Sequence, residues 1–156
     1  MITLGIDPGT TRIGFGVIES HNNKFKVLDY GVIGNPGQEK LANYKSAYDS
    51  LLGVISKHKP DRAAVEKLFF FKNQKTVLGV SEMRGIIMLS LVQNSIPVFE
   101  FTPLEIKQSI SSYGRADKDQ VQRMVRLILS INEEIKPDDA ADALAIAICG
   151  ANNIIY

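Results

Sequence analysis

The chain has 156 residues, 45% of them hydrophobic, which is ordinary for one globular domain spanning residues 1–156. Its 18 basic and 17 acidic residues give a net charge of +1, and this balance argues against a strongly basic nucleic-acid binder. The single cysteine excludes an internal disulfide, the most apolar stretch is too short to cross a membrane, and no signal-peptide pattern opens the chain, so we expect a soluble, cytoplasmic protein with no membrane partner.

The beginning of the chain predicts three antiparallel strands. Residues 2–7 are short and largely apolar, as expected near the centre of a sheet, and residues 8–11 form a turn. Residues 13–20 and 25–33 partly alternate and are partly β-branched, and the polar residues between them predict a hairpin.

Helices and strands alternate in the middle of the chain. A strand over residues 63–68, a long helix over residues 73–94 and a short strand over residues 97–101 are predicted. Before them, apolar residues at helical spacing predict a helix that ends at residues 59–61; they are Leu41, Tyr44, Tyr48, Leu51, Leu52 and Ile55.

Three more helices are predicted after the fifth strand. Residues 102–105 form a capping box with proline at the first helical position. Asp138 or Asp139 caps the last helix, which runs through Cys149. Asp117 starts the helix between them, whose apolar stripe includes Val121, Met124, Val125 and Leu127.

This order of elements predicts the fold class. The fourth and fifth strands each follow a helix, which favours right-handed parallel crossovers. We therefore predict an α/β fold with a five-stranded mixed sheet, three antiparallel strands and then two parallel ones, and helices on both faces. Because such architectures host many functions, the function has to be argued from particular side chains.

Two acidic residues lie where the predicted strands should be apolar. Asp7 ends the first strand, and Glu66 interrupts the fourth. A carboxylate in such a place is costly to bury unless it is paired or binds a cation. Each residue alone also fits a structural role, Asp7 as a turn cap and Glu66 as a side chain that points to solvent.

Asp139 and Asp142 share one face of the last helix, whose other residues are mostly small or apolar. Such a helix packs closely on a sheet, although acids near a helix N-terminus can also be purely structural. If that sheet carries Asp7 and Glu66, the four carboxylates repel one another unless divalent cations bind. Oxygen ligands select magnesium or manganese, and four carboxylates suit two ions, as in phosphodiester hydrolysis.

No competing catalytic set is apparent in the sequence. His21 lies in a predicted turn and His58 at a helix end, where surface roles are expected. Cys149 lies among apolar residues and is expected to be a small core side chain. Neither a Walker loop nor a G-x-G-x-x-G motif is present.

These motifs resemble the RuvC family of Holliday-junction resolvases over nearly the whole chain. Some family members carry histidine where Asp139 stands, and Asp138 is an additional acid beside it, but the Asp-Ala-Ala-Asp spacing favours Asp139 as the ligand. The matching segments are residues 5–9, residues 65–69 with Lys72 and Asn73, Arg84 with Gly85, residues 97–100, the segment of Lys107 and Lys118, and residues 139–147.

The resemblance implies an RNase H-like, Mg²⁺-dependent endodeoxyribonuclease of recombination and repair, with two metal ions in each active site and Mn²⁺ able to substitute. It implies a homodimer that nicks a four-way DNA junction symmetrically and cooperates with the RuvAB branch-migration complex. The implied metal ligands are Asp7, Glu66, Asp139 and Asp142, which are also catalytic together with Lys107 and Lys118. The implied DNA-binding residues are Phe69, Lys72, Asn73, Arg84, Lys107 and Lys118.

Two apolar segments suggest how such a protein meets DNA and its own copy. Phe69 begins a run of three aromatic residues, of which at least one should face water, and we expect Phe69 to stack on a base at the junction. A hydrophobic dimer contact is the alternative. Residues 77–92 are apolar over more than one helix face, so we expect this helix at a two-fold dimer interface, unless later helices cover it within one subunit.

Three other functions remain possible from the sequence. Residues 5–11 also look like the first phosphate loop of actin-like ATPases and sugar kinases, although 156 residues cannot supply their two lobes. A YqgF-like nuclease of ribosomal RNA processing shares a similar opening. A junction-binding module without activity is the third alternative, and it leaves the carboxylates without a purpose.

Overall fold

A computed structural model describes residues 1–22, 24–68, 74–111, 114 and 116–152, without the side chains of residues 74–76. Ten elements occur within these residues. The strands are β1 (Ile2–Pro8), β2 (Ile13–His21), β3 (Lys24–Ile33), β4 (Arg62–Glu66) and β5 (Val98–Phe101). The helices are α1 (Lys40–His58), α2 (Gln74–Gln93), α3 (Pro103–Ser111), α4 (Lys118–Leu129) and α5 (Asp138–Asn152).

The strands form one five-stranded sheet in the order β3-β2-β1-β4-β5. β1 and β2, and β2 and β3, pair antiparallel, whereas β4 is parallel to both β1 and β5. The predicted mixed sheet is therefore confirmed, with the RNase H-like topology that the resemblance implied.

Helices cover both faces of this sheet, and each face has its own hydrophobic core. Leu4 and Ile6 of β1 lie in one core, which they share with α1 and α2. The other core contains Ala64 of β4 and is built largely from α3, α4 and α5. Because side chains alternate along a strand, Gly5 and Asp7 of β1 belong to the α5 side.

Helix α5 lies unusually close to β1 and β2. A Cβ atom on Gly5 would overlap with the carbonyl oxygen of Ala143, and one on Gly14 would overlap with that of Asp139. Only glycine leaves room for backbone to pack on backbone in this way. The first turns of α5 therefore pack directly on β1 and β2.

The predicted apolar stripes of two helices are partly wrong. Leu41 in α1 and Leu127 in α4 are 70% and 72% exposed. Both lie two positions from a residue that is buried, which on a helix means the opposite face. The buried stripe of α1 instead begins with Asn43, whose side chain accepts a hydrogen bond from the Asn35 amide and donates one to the carbonyl of Thr11.

Helix α2 buries only one of its apolar stripes in the subunit. Met83, Ile87 and Leu91 are fully buried in the core that contains β1. On the other side, Leu78, Gly85, Leu89 and Val92 are exposed and lie on a common face, which we call the α2 stripe. None of the helices in the described ranges has both the length and the apolar character needed to cross a membrane.

His58 differs from its predicted surface role. Its side chain is only 9% exposed, and its Nε2 lies 2.9 Å from the carboxylate of Asp29 in β3. The neighbouring Lys57 approaches the same carboxylate at 2.6 Å. The last turn of α1 is thus tied to an edge strand of the sheet.

Candidate active site

The parallel register of β1 and β4 places Asp7 beside Glu66. The two strands pair as far as Ile6 and Val65, so Asp7 and Glu66 are the next residues along their strands. Strand alternation turns both side chains away from the core that contains Ile6 and Val65 and toward α5. Both residues are half-buried.

Helix α5 adds two more carboxylates to this edge of the sheet. Asp142 directly precedes Ala143, the residue that contacts Gly5, and the backbone of Asp139 contacts Gly14. The close packing of the α5 backbone on β1 and β2 therefore helps to position both aspartates relative to Asp7.

The carboxylates line two neighbouring depressions that share Asp7. Asp7, Glu66 and Asp142 line a cleft that Lys107 and Lys118 also line. We call this cleft the acidic cleft. Asp7 and Asp139 line the second depression, together with residues 9–12 of the loop after β1.

Two cations are paired with these acids. Nζ of Lys118 lies 3.0 Å from Asp138 and 3.3 Å from Asp142. Arg12 lies 3.5 Å from Asp139. As the side chains stand, no three His, Cys, Asp or Glu residues in the described ranges are close enough to hold one ion together. Of the four carboxylates that we expected to meet, Asp7, Glu66 and Asp142 line one cleft, whereas Asp139 lines the neighbouring depression with Asp7.

The negative charge around Asp7 is only partly compensated. Burial, followed by repulsion from Glu66, Asp142 and Asp139, raises the pKa of Asp7 to about 7, although Lys118 opposes the rise. Burial is also the largest cause that raises the pKa of Glu66 and of Asp142. Three neighbouring carboxyl groups thus hold their protons more tightly than in water, which a bound cation would reverse.

The donor set fits a hard divalent cation. Every candidate ligand is a carboxylate, and oxygen-only sets suit magnesium or manganese rather than zinc. Burial and the neighbouring carboxylates raise the pKa of Asp7, and a bound cation would stabilise its charged form. The side chains of Asp7, Glu66 and Asp142 would have to move closer together to hold one ion in the acidic cleft, and Asp139 could contribute beside Asp7.

The DNA-binding residues predicted from the sequence have different outcomes. Lys107 and Lys118 lie in the acidic cleft, as expected. Arg84 does not present its charge to solvent: its guanidinium donates to the carbonyl of Glu66 at 2.8 Å and pairs with Glu100. Phe69, Lys72 and Asn73 lie outside the described residues, and so does the predicted stacking of Phe69.

The sequence reasoning missed two residues with direct contacts at the site. Arg12 pairs with Asp139, and Glu100 pairs with Arg84. The only local signal for Arg12 is a basic residue in the turn after Asp7. Glu100 lies in the segment 97–100 that resembles the family, but it alternates with Phe99 and Phe101 as an ordinary exposed strand residue would, so the sequence does not predict its contact with Arg84.

A family model and curated proteins match almost the full chain. The model described as crossover junction endodeoxyribonuclease RuvC matches residues 3–150. A protein of that name from Halothermothrix orenii is 47% identical over 154 residues, which cover 98% of this chain and 93% of that protein. One from Petrotoga mobilis is 48% identical over 153 residues, with 97% and 94% covered.

Solved structures with the same architecture include two complexes with DNA junctions. T. thermophilus RuvC in complex with a Holliday junction substrate superposes with a TM-score of 0.90 at 31% identity, covering 97% of this chain and 93% of that one. Fowlpox virus resolvase with its substrate Holliday junction DNA has a TM-score of 0.60 at 17% identity, covering 99% and 100%. The viral protein supports the fold alone.

Proposed function

This chain belongs to the RuvC family of crossover junction endodeoxyribonucleases, and we propose that it resolves four-way DNA junctions by hydrolysing phosphodiester bonds in its acidic cleft. The resemblance predicted from the sequence motifs is thereby confirmed. The family depends on divalent metal ions, and we propose Mg²⁺ as the ion used here, with two ions in each active site and Mn²⁺ able to replace them.

One observation carries the assignment of the site. Asp7, Glu66 and Asp142 line a cleft that also contains Lys107 and Lys118, and Asp139 lines a neighbouring depression that shares Asp7 with this cleft. Carboxylates and lysines in one cleft can bind both a cation and the phosphate that the cation activates. The pairing of Lys118 with Asp142 supports this, because a cation is already attracted to that carboxylate.

The residues of the cleft divide into two roles in the proposed mechanism. Asp7, Glu66, Asp139 and Asp142 would hold the metal ions, which would supply Lewis acidity for displacement at phosphorus. Lys107 and Lys118 contact the scissile phosphate and stabilise the negative charge that develops on its oxygens. Lys118 is 53% exposed on its side chain, so it can turn from Asp138 and Asp142 to a bound phosphate.

The experiment that tests this function uses a synthetic mobile four-way junction with Mg²⁺. Strand-by-strand mapping should show paired, symmetric nicks. Asp7→Asn removes a metal ligand with little change in size, so it should abolish cleavage while junction binding survives. Asp49→Asn, an exposed aspartate of α1 paired with Lys45, is the matched control and should cleave normally. Loss of junction binding in Asp7→Asn would indicate a structural role for Asp7 instead.

The same family membership suggests the partners of the chain. We propose a homodimer, supported by the exposed α2 stripe, because a closed two-fold interface uses one patch of both subunits. Cooperation with the RuvAB branch-migration complex and action in the bacterial cytoplasm follow from the family and from the bacterial source of the relatives.

A further inference from the structure

Arg84 of α2 links the two strands that end at the acidic cleft. One guanidinium nitrogen donates to the backbone carbonyl of Glu66, at the end of β4, over 2.8 Å. Another pairs with the carboxylate of Glu100 in β5. The Arg84 side chain is only 13% exposed, so its two partners replace most of its contact with water.

Arg84 contacts Glu66 at a position where β4 is paired with only one neighbouring strand. The pairing of β1 with β4 ends at Ile6 and Val65, one residue before Glu66. On the other side, Glu66 still pairs with Phe101 of β5. A guanidinium N–H of Arg84 therefore donates to the Glu66 carbonyl at the point where the pairing of β4 with β1 ends.

The charges are arranged so that Arg84 holds Glu66 without neutralising it. The guanidinium meets Glu66 through its backbone carbonyl, and its ion pair is made with Glu100 instead. The carboxylate of Glu66 thus remains available to a metal ion. A ligand carboxylate has to be held within about 0.5 Å of its productive position, and contacts behind the ligand commonly provide this precision.

We propose that Arg84, oriented by Glu100, is a positioning residue that fixes the end of β4 and thereby sets the affinity of the acidic cleft for its metal ion. This inference rests on the metal-binding role proposed for Glu66. It replaces the direct DNA contact that the resemblance implied for Arg84.

The test measures Mn²⁺ binding to the full chain without DNA, by electron paramagnetic resonance of the free ion. Arg84→Lys keeps the charge but loses the planar fork that reaches both partners. We expect the Mn²⁺ dissociation constant to rise roughly 10–100-fold, the usual effect of losing a partner behind a metal ligand. The Mg²⁺ concentration for half-maximal cleavage should rise with it, and the rate at saturating Mg²⁺ should largely recover.

Arg62→Lys is the matched control, since Arg62 lies at the other end of β4, donates to the carbonyl of Gly150 and stacks on Phe99. It makes the same chemical change at the opposite end of the strand that Arg84 contacts, and it should leave Mn²⁺ affinity unchanged. If Arg84→Lys does not fold, Glu100→Ala carries the test, because Glu100 is partly exposed and its loss releases Arg84.

A double variant separates positioning from a general structural role. If Arg84 acts through Glu66, Arg84→Lys should weaken Mn²⁺ binding no further in a Glu66→Gln background, whereas independent effects would add. Normal Mn²⁺ affinity in folded Arg84→Lys or Glu100→Ala, or additive losses, would overturn the positioning role while leaving the proposed function intact. Normal Mn²⁺ affinity in Glu66→Gln would overturn the metal site itself, and the inference with it.

Discussion

Asp138 and Asp139 are neighbours in sequence but have different surroundings. The Asp138 side chain is 62% exposed and contacts Lys118, whereas Asp139 lines the depression that it shares with Asp7. Hydrogen bonds from Lys118 and Gln122 lower the pKa of Asp138, so this acid is already satisfied by protein groups. Their positions favour Asp139 as the metal ligand and Asp138 as a partner of Lys118.

We therefore predict that Asp139→Asn abolishes junction cleavage, whereas Asp138→Asn lowers the single-turnover rate by no more than about tenfold, as expected for a group that orients another. The measurement is cleavage of a four-way junction at saturating enzyme, with the Asp49→Asn variant as control. The opposite result, an inactive Asp138→Asn and an active Asp139→Asn, would exchange the two roles.

At the level of single residues, the sequence predicts acids better than it predicts their partners. Asp7 and Glu66 could be found because a charged residue in an apolar strand is anomalous wherever the strand lies. Arg12 and Glu100 are ordinary residues of a turn and a strand edge, and their contacts depend on where other elements pack. Such contacts leave no trace in the local pattern, and so they were missed.

Among the secondary-structure elements, the junction of α1 with β3 has a titratable component. Burial pushes the pKa of Asp29 upward, but hydrogen bonds and charge from Lys57 and His58 outweigh it and lower the pKa. Because the folded pKa lies below the ordinary value of about 3.9, Asp29 stabilises the fold above that pH. The contribution is lost as the pH falls through the folded pKa.

We predict that Asp29→Asn lowers the free energy of unfolding by about 1 kcal/mol at pH 7, the upper range for a partly exposed ion pair, and by less at pH 3. Urea denaturation of both proteins at the two pH values measures the difference. Asp49→Asn, which loses an exposed pair four residues apart on one helix, should cost no more than about 0.5 kcal/mol. An equal loss for Asp29→Asn at both pH values would show that charge is not the cause.

The elements themselves could be predicted in order and type, because strand alternation, turns and caps are local signals. The capping boxes at Thr102 and Asp117 are examples, and both are present in the structure. The inward faces of α1 and α4 could not be read as well, since both helices carry leucines on opposite sides. Asn43 shows why: a buried polar residue that is satisfied by backbone groups occupies a position that hydrophobicity alone assigns to the surface.

For the molecule as a whole, the α2 stripe is the surface where we propose that a second copy of the chain binds. Leu78 is 74% exposed, Leu89 53% and Val92 68%, and no atom lies near the open side of Gly85. Met83 and Ile87, which the apolar pattern alone does not distinguish from these residues, are core residues of the subunit. A variant that tests the dimer therefore has to change the stripe and leave the core intact.

We predict that Leu89→Glu weakens the dimer by at least about 2 kcal/mol, or roughly 30-fold in the dissociation constant, by placing a charge in an apolar interface. Light scattering at micromolar concentration gives the oligomeric state, and circular dichroism checks the fold. Leu127→Glu, a similarly exposed leucine on α4, should remain dimeric. If Leu89→Glu is dimeric and still makes paired nicks, the interface lies elsewhere.

The close seating of α5 on β1 and β2 also bears on how the native protein fluctuates. Residues 143–150 are all buried, and the backbone of the helix packs closely on β1 at Gly5 and on β2 at Gly14. Segments of this kind open only when the entire molecule unfolds, whereas loosely packed segments open locally and often. Two of the four proposed metal ligands, Asp139 and Asp142, lie in the same helix. We therefore expect heating to leave the acidic cleft assembled until the fold itself is lost, with no earlier partly opened and inactive state.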